Sequence, residues 1–429
     1  MSPHERAALG LAYAFLDGVW TSEGLINRGR LVVGHSRPEF RRLVRRVLRA
    51  YRRPPWDRVR EFAAWLLLND VSGELGQTAI PYISPTRWLS FQPAMGDMPW
   101  PVPAIPTLGE LSHFFAVTPS ELEWFADVRS LEIRVTDERL RHYRYRWVRK
   151  RDGSARLIES PKERLRGMQR HLLHTILDRI PAHDSAHGFV RGRSAVTFAA
   201  GHTNADVVIR LDIANFFGSI GAGRIYGVFR MAGYPESVAH SLTGLTTNSM
   251  PLAVWREAPE RVRGEFHLGK QLEVPHLPQG APTSPALANL CAHALDRRLT
   301  GLAESFGVRY SRYADDLAIS GSLSRTSVSR LVSLATDIAL EEGFSVKPAK
   351  TLVMGKGHRQ RLAGIVVNIK PNLERISYEA LRATLHNVSL RGLEAENRER
   401  QERFGQRLSG RAAWTAQLNP DRARRLKTL

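Results

Sequence analysis

Apolar residues recur at helical spacing from the start of the chain to about residue 75, and the pattern predicts a helical N-terminal region. Within it, residues 39–53 interleave arginine pairs with Leu43, Val44, Val47 and Leu48, a basic amphipathic helix that Pro54 and Pro55 end. Periodicity is lost from Gln77 to Pro106, where Pro, Trp and Gly accumulate, which reads as a linker or irregular loop between domains. Residues 106–125 predict two short helices around a turn, with Ser120 as the N-cap of the second, and favour a packing unit over a DNA-reading one. The period then drops to two. Two strands rich in arginine and aromatics flank Asp152-Gly153, a strong hairpin signal. One amphipathic helix is expected from Lys162 to Ile180, stopped by Pro181. Further on, the pattern predicts a strand at 206–213, a long helix at 284–304, a second hairpin at 308–321, a helix at 331–342 and a strand at 361–369. From about Tyr378 the chain reads as helical and strongly basic.

Charge adds a partner class to this outline. Among 429 residues, 62 Lys and Arg stand against 42 Asp and Glu, a formal net charge of +20. Such an excess draws in polyanions and releases counterions from a phosphate backbone, although an arginine-rich composition also arises from GC-rich coding. The arginines of residues 41–53 could line that backbone or form a solvated face. The basic, aromatic hairpin can lie over phosphates and stack on a base. The single cysteine, Cys291, excludes an intramolecular disulfide and a multi-cysteine zinc site. The first residues are too acidic and too weakly apolar for a signal peptide, and the longest apolar run, residues 62–68, is far short of a membrane span. The expectation is a soluble, cytoplasmic protein with no membrane partner.

The chemistry concentrates in a few acids. Asp315 and Asp316 are adjacent in an apolar, strand-forming context, where two carboxylates need a partner for their charge. Neighbours on a strand point to opposite faces, so both can serve one site only near a tight turn. For a bare Asp-Asp pair, a solvated turn is the usual explanation. Asp212, at the end of its own predicted strand, supplies a further acid. Three aspartates arranged so are what two-metal phosphoryl transfer requires, one magnesium activating a primer hydroxyl and the other holding the triphosphate. His171 with His174, and His183 with His187, share helical spacing but lack a third ligand, so they read as core or solvated histidines.

These segments together resemble the reverse transcriptases. Tyr313-Ala314-Asp315-Asp316 is similar to their YxDD motif, Leu211-Asp212-Ile213-Ala214-Asn215-Phe216-Phe217 to the motif that carries the first acid, and residues 277–289 to the motif between them. Residues 156–162 resemble the fingers motif, and residues 187–194 the motif just before the palm. Within the family the chain looks most like the bacterial retron type and its defence-associated relatives.

The resemblance implies an α+β right-hand polymerase, with an antiparallel-sheet palm, a fingers region and a helical thumb. The expected divisions are a helical N-terminal extension of unknown role over 1–105, fingers over 106–205, palm with interleaved fingers elements over 206–369, and a basic thumb over 370–429. It implies Asp212 and Asp315 as direct metal ligands, Asp316 as the third acid, and the Ile213 carbonyl as a further ligand. Two Mg2+ ions are implied as cofactors, with Mn2+ as a substitute. Phe217 falls where a bulky ring excludes a ribose 2′-hydroxyl; its alternative is a core aromatic beside Phe216. Gln279 and Gly280 match the segment that contacts the incoming nucleotide and template. Arg156 matches the residue that packs on the nucleotide, Lys150 assists at the γ-phosphate, and Lys350 resembles the lysine that protonates the leaving pyrophosphate. The implied partners are deoxynucleoside triphosphates, a structured non-coding RNA that serves as template and primer, its DNA product and an effector protein; the implied setting is antiphage defence.

Two positions depart from the retron pattern. Asn215 stands where many such enzymes carry a second acid, and Ala363 stands where they usually carry threonine. The second weakens the retron assignment and leaves the polymerase assignment untouched. The rival readings are another defence-associated or group II intron-like reverse transcriptase, and a non-catalytic RNA-binding scaffold on a polymerase fold.

Overall fold

Helices α1 (Pro3–Leu16), α2 (Ser22–Val33), α3 (Pro38–Ala50) and α4 (Val59–Leu68) build the N-terminal region in the computed structural model, as the helical periodicity predicts. The structure describes residues 3–17, 20–33, 38–52, 54–55, 58–69, 94–150 and 153–427. Most of the expected linker, up to residue 93, and Asp152 of the hairpin turn lie outside the described residues. The four helices bury one apolar face each, around Leu11, Phe15, Leu25, Phe40, Val44, Phe62 and Leu66. In α3 the split is sharp: Phe40, Leu43, Val44 and Val47 are buried, while Arg41, Arg42, Arg45, Arg46 and Arg49 are exposed.

The chain divides into two compact units. The first comprises residues 1–181 and 220–287, the second residues 182–219 and 288–429.

In the first unit, residues 94–106 form neither helix nor strand, in line with the aperiodic sequence, but they are packed. Val102 and Ile105 are buried, and the Pro103 carbonyl accepts from the Tyr234 hydroxyl at 3.1 Å. The two short helices that follow are Leu108–Phe114 and Pro119–Ala126, each opened by a capping box. The second is capped by Thr118, not by Ser120: the Thr118 hydroxyl oxygen accepts from the Glu121 amide, and the Glu121 carboxylate accepts from the Thr118 amide. Ser120 is already inside the helix. Strands β1 (Tyr143–Arg149) and β2 (Ala155–Pro161) pair antiparallel, with Val148 opposite Arg156. The helix after them runs Glu163–Thr175 and gives way to a 3₁₀ turn at Leu177–Arg179, shorter than the predicted span to Ile180.

In the second unit, four antiparallel strands lie in the order β4 (Arg309–Tyr313), β5 (Asp316–Gly321), β3 (Val207–Asp212), β6 (Leu352–Gly355). Register places Val208, Arg210 and Asp212 of β3 on one face with Asp316, Ala318 and Ser320 of β5. The other face carries Ile209, Leu211, Leu317 and Ile319, all buried. The first face packs on Phe198, Leu362, Ile365 and Val367. His202 bridges two strands there, Nδ1 at 2.7 Å from Ser320 Oγ and Nε2 at 2.7 Å from Ser311 Oγ.

Two sequence expectations are corrected from residue 284 onward. The predicted helix 284–304 is two helices, Ser284–Cys291 and His293–Ser305, joined at Ala292. The predicted strand 361–369 is a short hairpin of β7 (Arg361–Leu362) and β8 (Ile365–Val366), because Ala363 and Gly364 turn the chain with φ of 46° and 81°. Helices Arg375–Arg391, Leu393–Glu396, Phe404–Leu418 and Pro420–Lys427 complete the chain. No helix among the described residues is long and apolar enough to cross a membrane.

Burial holds the His202 ring neutral, its pKa lowered from 6.5 to about 4. Its contribution to stability is complete above pH 6.5 and is lost as pH falls through about 4. Chemical denaturation of the wild type is expected to show about 3 kcal/mol lost from this residue across that window. His202→Gln should be less stable at pH 7.5 and should lack that part of the slope; an unchanged slope would contradict the assignment.

Candidate active site

The acids meet at one end of the four-stranded sheet because of register. Asp212 is the last residue of β3 and pairs with Asp316, the first residue of β5, so the two share a face. Tyr313 and Asp316 are opposite each other, which leaves Ala314 and Asp315 as a two-residue turn, with Ala314 at φ 56°. The Asp315 carbonyl accepts the Ile213 amide at 2.8 Å and ties that turn to the chain leaving β3. Ile213 is fully buried.

Cations surround these carboxylates. Lys350 Nζ stands 3.2 Å from Asp212 Oδ2, and Lys347 Nζ stands 3.4 Å from Asp212 Oδ1. Arg210 Nε donates to Asp316 Oδ1 at 2.8 Å. Asp315 is exposed at the apex of the turn, yet protein crowds its flanks; desolvation, reinforced by the charge of Asp212, raises its pKa. Desolvation also raises Asp316, with Arg210 opposing it and the other two acids adding to it. Asp212 is 3% exposed, and its Oδ1 accepts no hydrogen bond; the ion-pair distance to Lys347 is its contact.

A second charged group lies behind the turn. Arg312, on β4, has no exposed surface and forms a forked pair with Asp296 of helix His293–Ser305, at 2.8 and 2.7 Å. Its remaining nitrogen donates to Asn289 Oδ1 at 3.0 Å and to the Ala314 carbonyl at 3.1 Å, fixing the turn itself. The segment just before the sheet closes on the same turn. The Arg312 amide donates to Ser185, the Arg312 carbonyl accepts from His187, and a Cβ on Gly188 would sit 2.6 Å from the Ala314 nitrogen. Glycine is the residue that fits there.

Phe216 and Phe217 separate in environment. Phe216 is 4% exposed, against Phe344 and under the Arg312 guanidinium, whereas Phe217 is half-buried beside the exposed Phe189. Phe216 is thus the core aromatic of the two. Asn215 adopts φ 46° in the turn between them and β3, a conformation asparagine tolerates.

The remaining predicted residues belong to the first unit. Arg156 is exposed on β2, and Lys150 sits at the hairpin turn, its amide donating to Ser154 at 2.7 Å. The Gln279 carbonyl accepts from the Glu159 amide at 2.9 Å, and Gly280 has φ 136°. A cavity of about 410 Å3 in this unit, lined by Leu108, Trp124, Leu131 and Leu140, contains none of the predicted site residues.

Three neighbours of the acids escaped the sequence reading: Lys347, Arg210 and Arg312. The first two carried a legible signal. Lys347 and Lys350 are three apart across the 3₁₀ turn Pro348–Lys350, which stacks such positions, and Arg210 is two residues before Asp212 on a strand.

The donor set suits a hard divalent cation. Carboxylate oxygens, one of them buried without a hydrogen bond, are what such an ion takes. Among the described residues no three His, Cys, Asp or Glu form a ready-made cage. Magnesium does not need one, since it fills its shell with substrate phosphates and water.

Comparison with known proteins points to one family. The family model described as reverse transcriptase (RNA-dependent DNA polymerase) matches residues 148–369. The retron Mx65 reverse transcriptase of Myxococcus xanthus is 40% identical over 302 residues, covering 70% of this chain and 66% of the relative. The retron Mx162 reverse transcriptase of the same organism is 36% identical, covering 73% of this chain and 64% of the relative. The retron Ec86 reverse transcriptase of Escherichia coli is 30% identical, covering 57% and 70% respectively. The chain thus spans somewhat less than two thirds of the length of the two Myxococcus relatives.

Removing one member of the buried pair behind the turn leaves an uncompensated charge. Asp296→Ala is expected to cost about 3–5 kcal/mol in urea unfolding. Arg312→Met combined with Asp296→Leu should recover most of it, because an apolar pair needs no partner. A loss below about 1 kcal/mol for Asp296→Ala would contradict the role given to the pair.

Proposed function

The chain belongs to the reverse transcriptase family, among its retron-type members, and we propose that it copies a structured non-coding RNA into DNA by nucleotidyl transfer. The observation that carries the reading is the convergence of Asp212, Asp315 and Asp316 at one end of the antiparallel sheet, ringed by Lys347, Lys350 and Arg210. A scaffold that only bound RNA would have no use for three carboxylates held together against their repulsion. Ala363 does not take the chain out of the retron group: the relatives above are retron enzymes, and the residue occupies the first turn position of the β7–β8 hairpin.

Divalent-cation dependence goes with the family. Two Mg2+ ions, or Mn2+ in their place, would be held by Asp212, Asp315 and the Ile213 carbonyl, and would supply an activated primer hydroxyl and charge neutralisation on the triphosphate. Asp316, held by Arg210, acts as the third acid. Lys350 stands beside Asp212 and is the donor proposed for the leaving pyrophosphate. Phe217 presents its ring for exclusion of the ribose 2′-hydroxyl, supported by its half-exposed position next to the buried Phe216. In the first unit, Arg156 offers a planar charged face to the nucleotide, Gln279 and Gly280 offer close backbone approach, and Lys150 adds charge for the γ-phosphate.

In this reading the four-stranded sheet is the palm, β1 and β2 belong to the fingers, and the helices from Arg375 onward form the thumb. The N-terminal helices grip the RNA through the exposed arginine face of α3, a role read out by the salt dependence of RNA affinity. Docking of an effector protein on the same extension is the alternative for that region. The RNA supplies both template and primer, the setting is the cytoplasm, and the biological role is antiphage defence. A different template or primer, as in group II intron-like enzymes, would appear as the absence of a dedicated RNA partner.

Asp315→Ala combined with Asp316→Ala should reduce primer extension at least about a thousandfold while changing RNA affinity less than about twofold. Extension by this variant, or none by the wild type on any template with Mg2+, would sink the reading.

Phe217→Ala should raise ribonucleotide use relative to deoxynucleotide use by about tenfold or more in the same assay. Unchanged discrimination would return Phe217 to a packing role.

A further inference from the structure

Two opposite charges lie buried in the first unit where the chemistry proposed above does not call for them. The side chains of Glu159 and His276 are each 1% exposed, with His276 Nε2 2.9 Å from Glu159 Oε2. The other ring nitrogen, Nδ1, lies 2.8 Å from the Val274 carbonyl. A carbonyl and a carboxylate accept and do not donate, so a ring bonded to both is protonated on both nitrogens. Burial opposes that charge, but the Glu159 carboxylate and the Val274 carbonyl together offset it and keep His276 above the usual histidine range. The second Glu159 oxygen accepts from Asn248 Nδ2 at 2.8 Å, and the same amide donates to the Tyr145 hydroxyl at 3.0 Å. Asn248 and His276 also exchange a pair of backbone hydrogen bonds, each 3.0 Å.

The pair joins two short stretches of chain. Glu159 points inward from β2, the strand that carries the exposed Arg156. His276 opens the segment that runs through Leu277 and Pro278 to Gln279 and Gly280. Backbone contact closes the same gap: the Glu159 amide donates to the Gln279 carbonyl at 2.9 Å. A Cβ on Gly280 would sit 2.9 Å from the Glu159 carbonyl oxygen, and φ there is 136°. A buried ion pair is weak evidence of stabilisation, since apolar residues of similar volume do as well. What it supplies is uniqueness of position. A slip of residues 277–280 along β2 would leave both charges buried without partners.

We propose that Glu159 and His276 are a positioning pair that fixes residues 277–280 in one register on β2, and so sets the placement of Gln279 and Gly280 relative to Arg156. The consequence for catalysis rests on the reading that these residues meet the incoming nucleotide. The pair touches no substrate itself.

The test compares the wild type with Glu159→Gln, His276→Gln and the double variant Glu159→Met with His276→Leu. Three quantities are measured: the thermal midpoint, amide hydrogen exchange over residues 277–281, and KM and kcat for a deoxynucleoside triphosphate on a pre-annealed primer–template. The single variants should lower the midpoint, and the double variant should return near the wild-type value. In all three, exchange at 277–281 should quicken about tenfold or more while exchange at 207–212 stays unchanged. KM should rise about tenfold with kcat within about twofold of wild type. A double variant that regains stability together with wild-type exchange would overturn the proposal, since the pair would then serve folding alone. Should the double variant fail to fold, the isosteric Glu159→Gln decides on exchange in the same way. Faster exchange with unchanged KM supports the positioning pair and overturns instead the nucleotide contact assigned to Gln279.

Discussion

Asp212, Asp315 and Asp316 repel one another, and most of the second unit answers to that repulsion. Cross-strand register brings two of them to one face and the turn brings the third. Left alone, such a cluster would protonate or push the turn apart. Desolvation and mutual repulsion do raise Asp315 and Asp316. Lys347, Lys350 and Arg210 offset the charge from the side, and Arg312 bonds the turn's backbone from behind. Arg312 is itself held by Asp296, so the charge that steadies the turn is already neutralised and does not compete for the acids.

The same device recurs in the first unit at a different scale. Arg312 with Asp296 specifies a two-residue turn; His276 with Glu159 specifies a four-residue segment. In both, a fully buried ion pair stands beside a glycine that has no room for a side chain, Gly188 in one and Gly280 in the other. Close backbone approach removes slack, and the charge pair removes alternative registers. Each segment carries residues to which chemistry is assigned, and neither is held by apolar packing alone, which tolerates sliding more readily than a paired charge does.

Much of this was legible in the sequence where pattern and chemistry coincide. An apolar run located β3 and a hairpin signal located β4 and β5, and the strand-end position of Asp212 anticipated its meeting with Asp315 and Asp316. Lys350 was expected near them and stands beside Asp212. What stayed hidden depends on tertiary contact. Arg312 reads as one more arginine in a basic chain until Asp296, from a helix sixteen residues earlier, is seen against it. The break at Ala292 was missed because alanine gives no turn signal; the Ala363-Gly364 turn did carry one in Gly364, which the apolar run around it hid. Thr118 was passed over for Ser120 because both are good caps; the return bond from Glu121 separates them, and that spacing was present to be read.

If these acids make DNA on an RNA template, the protein carries its template and product with it. Sequencing the nucleic acid that copurifies with the intact protein, with and without prior ribonuclease or deoxyribonuclease treatment, tests it most directly. One dominant structured RNA together with DNA complementary to part of it is the expected result. RNA recovered with no complementary DNA, from cells in which the protein is active and abundant, would contradict it.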